Sequence, residues 1–163
     1  MSANFDLFVK DFLNANTWPQ RNNGVPLNLL DNLSPEELKI AEAELLKVVS
    51  LRDDFPIVGL GHIKSKAALP ILYDLLDKSS QATKVKIANS IFQICQDDKM
   101  IDVVLMTMAD ITDHFEIIDA LYYLLGFNDD RITKLLSSYQ THNNYLVTAN
   151  AKRYMALKKQ RQG

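Results

Sequence analysis

Three pairs of adjacent aspartates are the residues of this sequence whose type and spacing could do chemistry: Asp53-Asp54, Asp97-Asp98 and Asp129-Asp130. Paired carboxylates could bind a metal ion or act in catalysis. Each pair, however, directly precedes a predicted helix. There, carboxylates accept hydrogen bonds from free amides and meet the positive end of the helix dipole. We therefore predict that these aspartates cap helices.

The histidines and the single cysteine form no recognisable site. His62, His114 and His142 are scattered along the chain, and no two have i, i+4 spacing. Cys95 cannot form an internal disulfide, and there is no Cys/His cluster for zinc. It falls on the apolar side of a predicted helix, beside Ile91, so we expect a buried, unreactive thiol. We predict no catalytic residue, no metal site and no cofactor.

A repeated helical unit is the element pattern that must position every other residue. Ile63, Ile94 and Leu125 recur at a period of 31 residues, each within an apolar segment followed by a polar turn and a second apolar segment. A fixed period in this range is typical of stacked helix pairs. The expected helices cover about 3–14, 34–50, 52–63, 65–78, 82–96, 98–110, 114–127, 129–140 and 143–159. Leu72, Leu105 and Leu136 should occupy equivalent buried positions in successive second helices.

Local signals strengthen some of these helices and weaken others. Ser34-Pro35-Glu36-Glu37 is a capping box with proline at the first helical position. Gly59 and Gly61 lower the helix propensity of 52–63, unless they serve a close approach of two helices. The polar stretch 14–26 reads as a long connection, with Trp18 either packed against the first repeat or exposed as an anchor. Of the adjacent Tyr122 and Tyr123, one should be partly exposed.

Length and charge bound the class of protein. A chain of 163 residues fits one domain, and it contains no apolar run near the ~20 residues of a membrane span. No signal peptide is evident, so we expect a cytoplasmic protein. A net charge of −2 argues against a general nucleic-acid binder. The basic residues of 152–161 suit the C-terminal end of a helix on dipole grounds alone.

The segment from Leu60-Gly61-His62-Ile63 to Ala67-Ala68-Leu69-Pro70-Ile71-Leu72 resembles the core of HEAT-like (armadillo-type) helical repeats. The resemblance covers about 52–141, although the later copies lack an equivalent of Pro70. It implies an all-α fold, an α-solenoid of antiparallel helix pairs with N-terminal and C-terminal capping helices. The whole of 1–163 would form one domain, with 1–33 as an N-terminal helix and long connection, 34–50 as a capped helix, 52–141 as three repeats and 143–163 as a C-terminal helix and basic tail.

Proteins of the HEAT-like class are mostly protein-binding scaffolds, and members also include bacterial immunity proteins, bilin lyases and DNA glycosylases. The outward positions of two neighbouring second helices form the candidate protein-binding site: Tyr73, Asp74, Asp77, Asp102, Met106 and Asp110. Acidic groups with an aromatic or methionine anchor suit a partner protein with a basic surface patch. We expect a small, non-catalytic cytoplasmic adaptor or inhibitor, with no nucleic acid or membrane as partner. A bacterial immunity protein that blocks a toxin is one concrete form of this function. An enzyme on the same scaffold and a self-associating structural protein remain the alternatives.

Overall fold

The computed structural model describes residues 1–162, and every element it contains over that range is helical. The bounds are α1 Ala3–Phe8, α2 Trp18–Asn22, α3 Asn28–Asp31, α4 Pro35–Val48, α5 Asp54–His62, α6 Leu69–Lys78, α7 Gln81–Cys95, α8 Lys99–Asp110, α9 His114–Leu121, α10 Asp130–Ser138 and α11 Tyr145–Gln162. Short 3₁₀ turns precede α6 and follow α9 and α10. Residues 1–162 contain no strand, only an isolated bridge between Ser50 and Asp53. The prediction of an all-α protein is confirmed.

The N-terminal region is more structured than a long connection. α1 continues as a π-helical turn, Val9–Leu13, and places Phe5, Phe8 and Phe12 in a buried aromatic row. The two short helices α2 and α3 then occupy much of the stretch that the sequence indicated as loop and turn. Arg21 of α2 donates two hydrogen bonds to Asp53, at 2.7 and 2.9 Å, and thereby ties this region to the start of α5.

The capping box of α4 is present as predicted. Ser34 Oγ accepts from the Glu37 amide at 3.2 Å, and Glu37 Oε2 accepts from the Ser34 amide at 3.1 Å. The other carboxylate oxygen accepts from the Ser2 amide at 2.8 Å, which anchors the start of α1. Hydrogen bonds from Ser2 and then from Ser34 stabilise the ionised form and lower the pKa of Glu37 to about 2.

Helix α7 lies at the centre of the packing. It contacts α5 and α9 on one side and α6 and α8 on the other, while α11 packs on α9 and α10. Such a position explains why α7 buries residues around most of its circumference, including Lys86 and Ser90. No helix within 1–162 has both the length and the apolar character that crossing a lipid bilayer requires.

Gly61 permits the close contact of α5 with α7, and Gly59 permits that of α5 with the N-terminal region. A Cβ added to Gly61 would lie 2.7 Å from the Cα of Ser90, and one added to Gly59 would lie 2.8 Å from the ring of Phe12. Ser90 Oγ donates to the carbonyl of Ile57 at 3.0 Å across the same contact. Both glycines lower helix propensity locally, but Gly61 lets the backbone of α5 lie against Ser90 of α7, and Gly59 leaves room for the ring of Phe12.

Helices α6, α8 and α10, which the sequence predicts to be the second helices of the repeats, have fully buried residues 32 positions apart. Leu72, Val104 and Leu136 are each fully buried, on α6, α8 and α10. Leu105, which the sequence analysis placed in this set, is only half-buried. The one-residue error arose because both Val104 and Leu105 are apolar, and the helical period alone did not separate the innermost from the flanking position.

Candidate protein-binding surface

The six residues chosen from the sequence lie along α6 and α8, and we call them the ridge. The inward positions of these helices are taken by Leu72, Leu75, Leu76, Met100, Ile101, Val104 and Met108, all buried. Asp74, Asp77, Asp102, Met106 and Asp110 are consequently exposed, and Tyr73 is half-buried. Met106 has 72% of its surface accessible, which is unusual for a large apolar side chain beside a well-packed core.

Two of the four ridge aspartates, Asp77 and Asp110, lie at the C-terminal ends of α6 and α8, whereas Asp74 lies in the middle of α6 and Asp102 in the first turn of α8. Asp74 forms an ion pair with Lys78 at 2.8 Å, and Asp102 forms one with Arg131 at 3.1 Å. Asp77 and Asp110 have no salt-bridge partner among residues 1–162. Both stand in the last turn of a helix, where the negative end of the dipole disfavours a carboxylate. Their position therefore works against stability and strengthens the local negative potential.

Tyr73 is held in place. Its hydroxyl donates to Asp97 Oδ2 at 2.5 Å and lies 3.9 Å from Cys95 Sγ. The hydrogen bond to Asp97, together with desolvation, raises the pKa of Tyr73. Tyr73 thus fastens α6 to the turn between α7 and α8, and it offers only part of its ring to a partner.

The prediction of a buried thiol at Cys95 is wrong, because Cys95 is exposed. It is the last residue of α7, and the chain leaves the helix immediately after it through the left-handed Gln96. The apolar face of a helix predicts burial only where another element covers that turn. No element of the described chain covers the last turn of α7 at Cys95, so its Sγ lies at the surface and donates to the carbonyl of Ile91 at 3.4 Å.

A groove of about 350 Å³ lies beside Met106, between the α6–α7 turn and α8. We call it the α8 groove. Its apolar lining comes from Val103, Met106 and Ile111, while Lys84 and Asp110 add one charge of each sign. The remaining lining residues are Ser79, Ser80, Gln81 and Thr107. The groove can receive an apolar or aliphatic side chain, with a carboxylate at its margin to meet a cation.

Phe115 is a further exposed apolar residue that the sequence analysis did not select. It lies in the first turn of α9 and is 67% exposed. The next residue, Glu116, accepts a hydrogen bond from the Ala82 amide at 3.1 Å, so Phe115 stands at the same end of the molecule as the start of α7. The helical period contained this signal, because Phe115 falls about 200° from the buried Ile117.

The first aspartate of each pair accepts a hydrogen bond at the start of a helix, as predicted, whereas Asp98, the N-cap residue of α8, makes no side-chain cap hydrogen bond. Asp53, Asp97 and Asp129 accept from the amides of the residue two positions later, at 2.9, 3.0 and 2.8 Å. Asp54 has a different role that the sequence did not reveal. It and Asp119 each accept from Lys86 Nζ at 2.6 Å, which joins α5, α7 and α9. Burial disfavours the charge on Lys86, but the two hydrogen bonds outweigh it and raise the pKa of this lysine.

The structure does not bring the histidines together. His62 lies 2.6 Å from Asp31, His114 stacks on Phe115, and His142 Nδ1 accepts from the Asn144 amide at 3.0 Å. Residues 1–162 contain no group of three His, Cys, Asp or Glu side chains placed to hold a metal ion.

The remaining aromatic and basic residues divide between surface and interior. Trp18 is 74% exposed, so of the two alternatives predicted for it the exposed position is the one observed. Tyr122 is 44% exposed while Tyr123 is half-buried, as expected for adjacent residues. Lys158, assigned from sequence to a basic tail, is buried and donates to the carbonyl of Phe127 at 2.7 Å. Burial lowers the pKa of Lys158.

Comparison of the chain with protein-family models, with curated proteins and with solved structures finds no match.

Proposed function

We propose that this protein is a non-catalytic protein-binding module, a small cytoplasmic adaptor or inhibitor that binds a partner through the ridge and the α8 groove. The observation that carries the proposal is Met106, an exposed apolar side chain at the edge of an apolar groove, with Asp110 one turn further along the same helix. An apolar anchor next to a pocket, surrounded by charge, is the arrangement that concentrates binding energy at protein interfaces.

The scaffold we propose is an α-solenoid of HEAT-like helix pairs, with helices at the two ends acting as caps. Three features support it: the order in which α5, α7, α9 and α11 pack, the 32-residue spacing of Leu72, Val104 and Leu136, and cross-helix hydrogen bonds such as Ser90 to Ile57 that span about one repeat. In such an array the second helices present a continuous surface. The ridge occupies two neighbouring members of that set.

The partner we propose carries a basic patch. Asp77 and Asp110 place negative charge beside the negative ends of two helix dipoles, and neither forms a salt bridge within residues 1–162. Carboxylates in that position oppose helix stability, which is consistent with their serving another purpose. Charge of this kind accelerates association with a basic surface and makes the rate fall with salt. An immunity protein that blocks a basic toxin is one concrete form of this function.

The test uses a fluorescein-labelled decalysine peptide as a basic probe, followed by any partner isolated with the folded protein. Reversing Asp77 and Asp110 to Lys should weaken decalysine binding and reduce its salt dependence. Reversal of Asp6 and Glu36, which are exposed on α1 and α4, changes the net charge equally and serves as the matched control. Met106→Ser should weaken the binding of a protein partner more than it weakens the binding of decalysine, because it removes the apolar anchor. Equal losses from the ridge reversal and the control reversal would show that only net charge matters and would contradict the proposal.

A further inference from the structure

A second concave surface lies across α7 from the α8 groove. Two adjoining depressions of about 450 and 510 Å³ share Leu27, Val58, Tyr122 and Tyr123 in their linings. One wall is the segment 22–27, and the other is α11. On α7, Asn89 faces this surface while Lys84 faces the α8 groove, in keeping with their separation of about 140° around the helix. We call this surface the tyrosine cleft.

The aromatic part of the cleft is a cluster of three tyrosines. The ring of Tyr122 lies 5.4 Å from that of Tyr123 and 5.7 Å from that of Tyr154, both in edge-on geometry. Tyr154 and Tyr123 are largely buried and hold Tyr122, whose ring is 44% exposed, in a fixed orientation. A rigid, half-exposed tyrosine contributes contact area to a ligand at little cost in conformational entropy.

The polar floor of the cleft presents an amide. Gln93 donates to the carbonyl of Gly126 at 2.6 Å and to Asn89 Oδ1 at 3.5 Å, which fixes the orientation of the Asn89 side chain. Asn89 Nδ2 donates no hydrogen bond to any group within residues 1–162. A side chain at Gly126 would displace the amide of Asn89 from this position. The half-buried Asn89 amide is therefore a donor suited to a ligand carbonyl.

The charge of the cleft is positive. Lys64, Arg153 and Arg161 line it, and no carboxylate appears in its lining among the described residues. Asp54 and Asp119 bind Lys86, and Asp31 lies against His62, a residue of the cleft lining. This sign is opposite to that of the ridge, so the two surfaces select different ligands.

We propose that the tyrosine cleft binds an acidic peptide segment of a protein in an extended conformation. The Asn89 amide would donate to a peptide carbonyl, Tyr122 would pack on the chain, and Arg153 and Arg161 would meet acidic side chains. A nucleic-acid strand fits less well, because it needs a cationic groove that follows many successive phosphates. Three cations, in a chain of net charge −2, do not form such a track.

The test measures the fluorescence anisotropy of a labelled decaglutamate peptide with the whole chain. Reversing Arg153 and Arg161 to Glu should raise its Kd about tenfold or more. Lys152→Glu paired with Lys159→Glu is the matched control, because both lysines are exposed on α11 and neither lines the cleft. Asn89→Leu should raise the Kd with no change in its salt dependence. Circular dichroism and thermal unfolding verify that each variant is folded.

Four outcomes would overturn the proposal. They are a failure of decaglutamate to bind, an equal loss in the control pair, tighter binding of labelled oligothymidine than of decaglutamate, and a concentration-dependent dimer that blocks the cleft. The decalysine probe keeps this test separate from that of the ridge. Arg153→Glu with Arg161→Glu should leave decalysine binding intact or stronger. Asp77→Lys with Asp110→Lys should weaken decalysine binding and leave decaglutamate binding intact or stronger.

Discussion

Removal of the buried Lys86 charge should lower the free energy of unfolding, and the distances around Lys86 Nζ give the size of the loss. The side chain of Lys86 is 4% exposed, and its Nζ lies 2.6 Å from a carboxylate oxygen of both Asp54 and Asp119. In Lys86→Met those two oxygens, no more than about 5 Å apart, would face each other without a cation. Their repulsion is about 3 kcal/mol at an effective dielectric of 20 and about 0.8 kcal/mol in water. Because the carboxylates are 36% and 55% exposed, we expect a loss of about 1–3 kcal/mol.

Urea unfolding followed by circular dichroism at pH 7 gives the free energies needed for this prediction. Lys84→Met is the matched control: the same substitution two positions away on α7, at a residue that forms no salt bridge within the described chain, should change stability by less than about 0.5 kcal/mol. Replacing Asp54 and Asp119 by Asn in the Lys86→Met background should recover most of the loss, because no unpaired charge then remains. Lys86→Met as stable as Lys84→Met would refute the reasoning. So would a triple variant with Asp54→Asn and Asp119→Asn that is no more stable than Lys86→Met alone.

The pH dependence of the same contribution has a defined sign. The pKa of Lys86 is raised in the folded protein, so its stabilising effect is fully present below about pH 10.5 and is lost as pH rises through the raised value. The difference in stability between the wild type and Lys86→Met should therefore be constant from neutral pH to about pH 10 and shrink only above it.

Two other perturbations test the packing and the capping. Gly61→Ala should destabilise by about 1–3 kcal/mol in urea unfolding, because its methyl group meets the Ser90 backbone. Gly59→Ala should cost less, because its methyl group meets side-chain atoms of Phe12 and Leu30 and no backbone atom. A Gly61→Ala variant more stable than wild type would contradict the close approach of α5 and α7. Ser34→Ala should lower the free energy of unfolding by about 0.5–2 kcal/mol. With a folded-state pKa of about 2, the stabilisation from ionised Glu37 is complete above about pH 4.5 and is lost as the pH falls towards 2, so Glu37→Gln should show a smaller loss of thermal stability over that range.

The features that the sequence predicted well are those that depend on neighbours in the chain. The capping box at Ser34 involves residues three positions apart, and the outward position of Asp102 and Met106 follows from the helical period alone. The aspartates before helices could be interpreted in the same way, since an N-cap bonds within its own first turn.

The features that were missed depend on which element covers which. Cys95 and Lys158 were assigned to the wrong side because burial at a helix end is set by the packing of distant helices. α2 was missed since it consists of only one turn and is held by the distant pair Arg21–Asp53. Likewise, the period orients Val103 and Ile111 but cannot show that the α6–α7 turn leaves a groove beside them.

The separation along the chain of the cross-helix hydrogen bonds has a consequence for how the protein folds. Arg21 reaches 32 residues ahead, Ser90 reaches 33 residues back, and Lys158 reaches 31 residues back. Each such bond closes a loop of about the same length, so the entropy of loop closure is similar at each step. No bond of this set waits for the two chain ends to meet. We expect refolding to begin around the central helix α7 and to spread outwards, with the terminal helices the first to exchange their amide hydrogens.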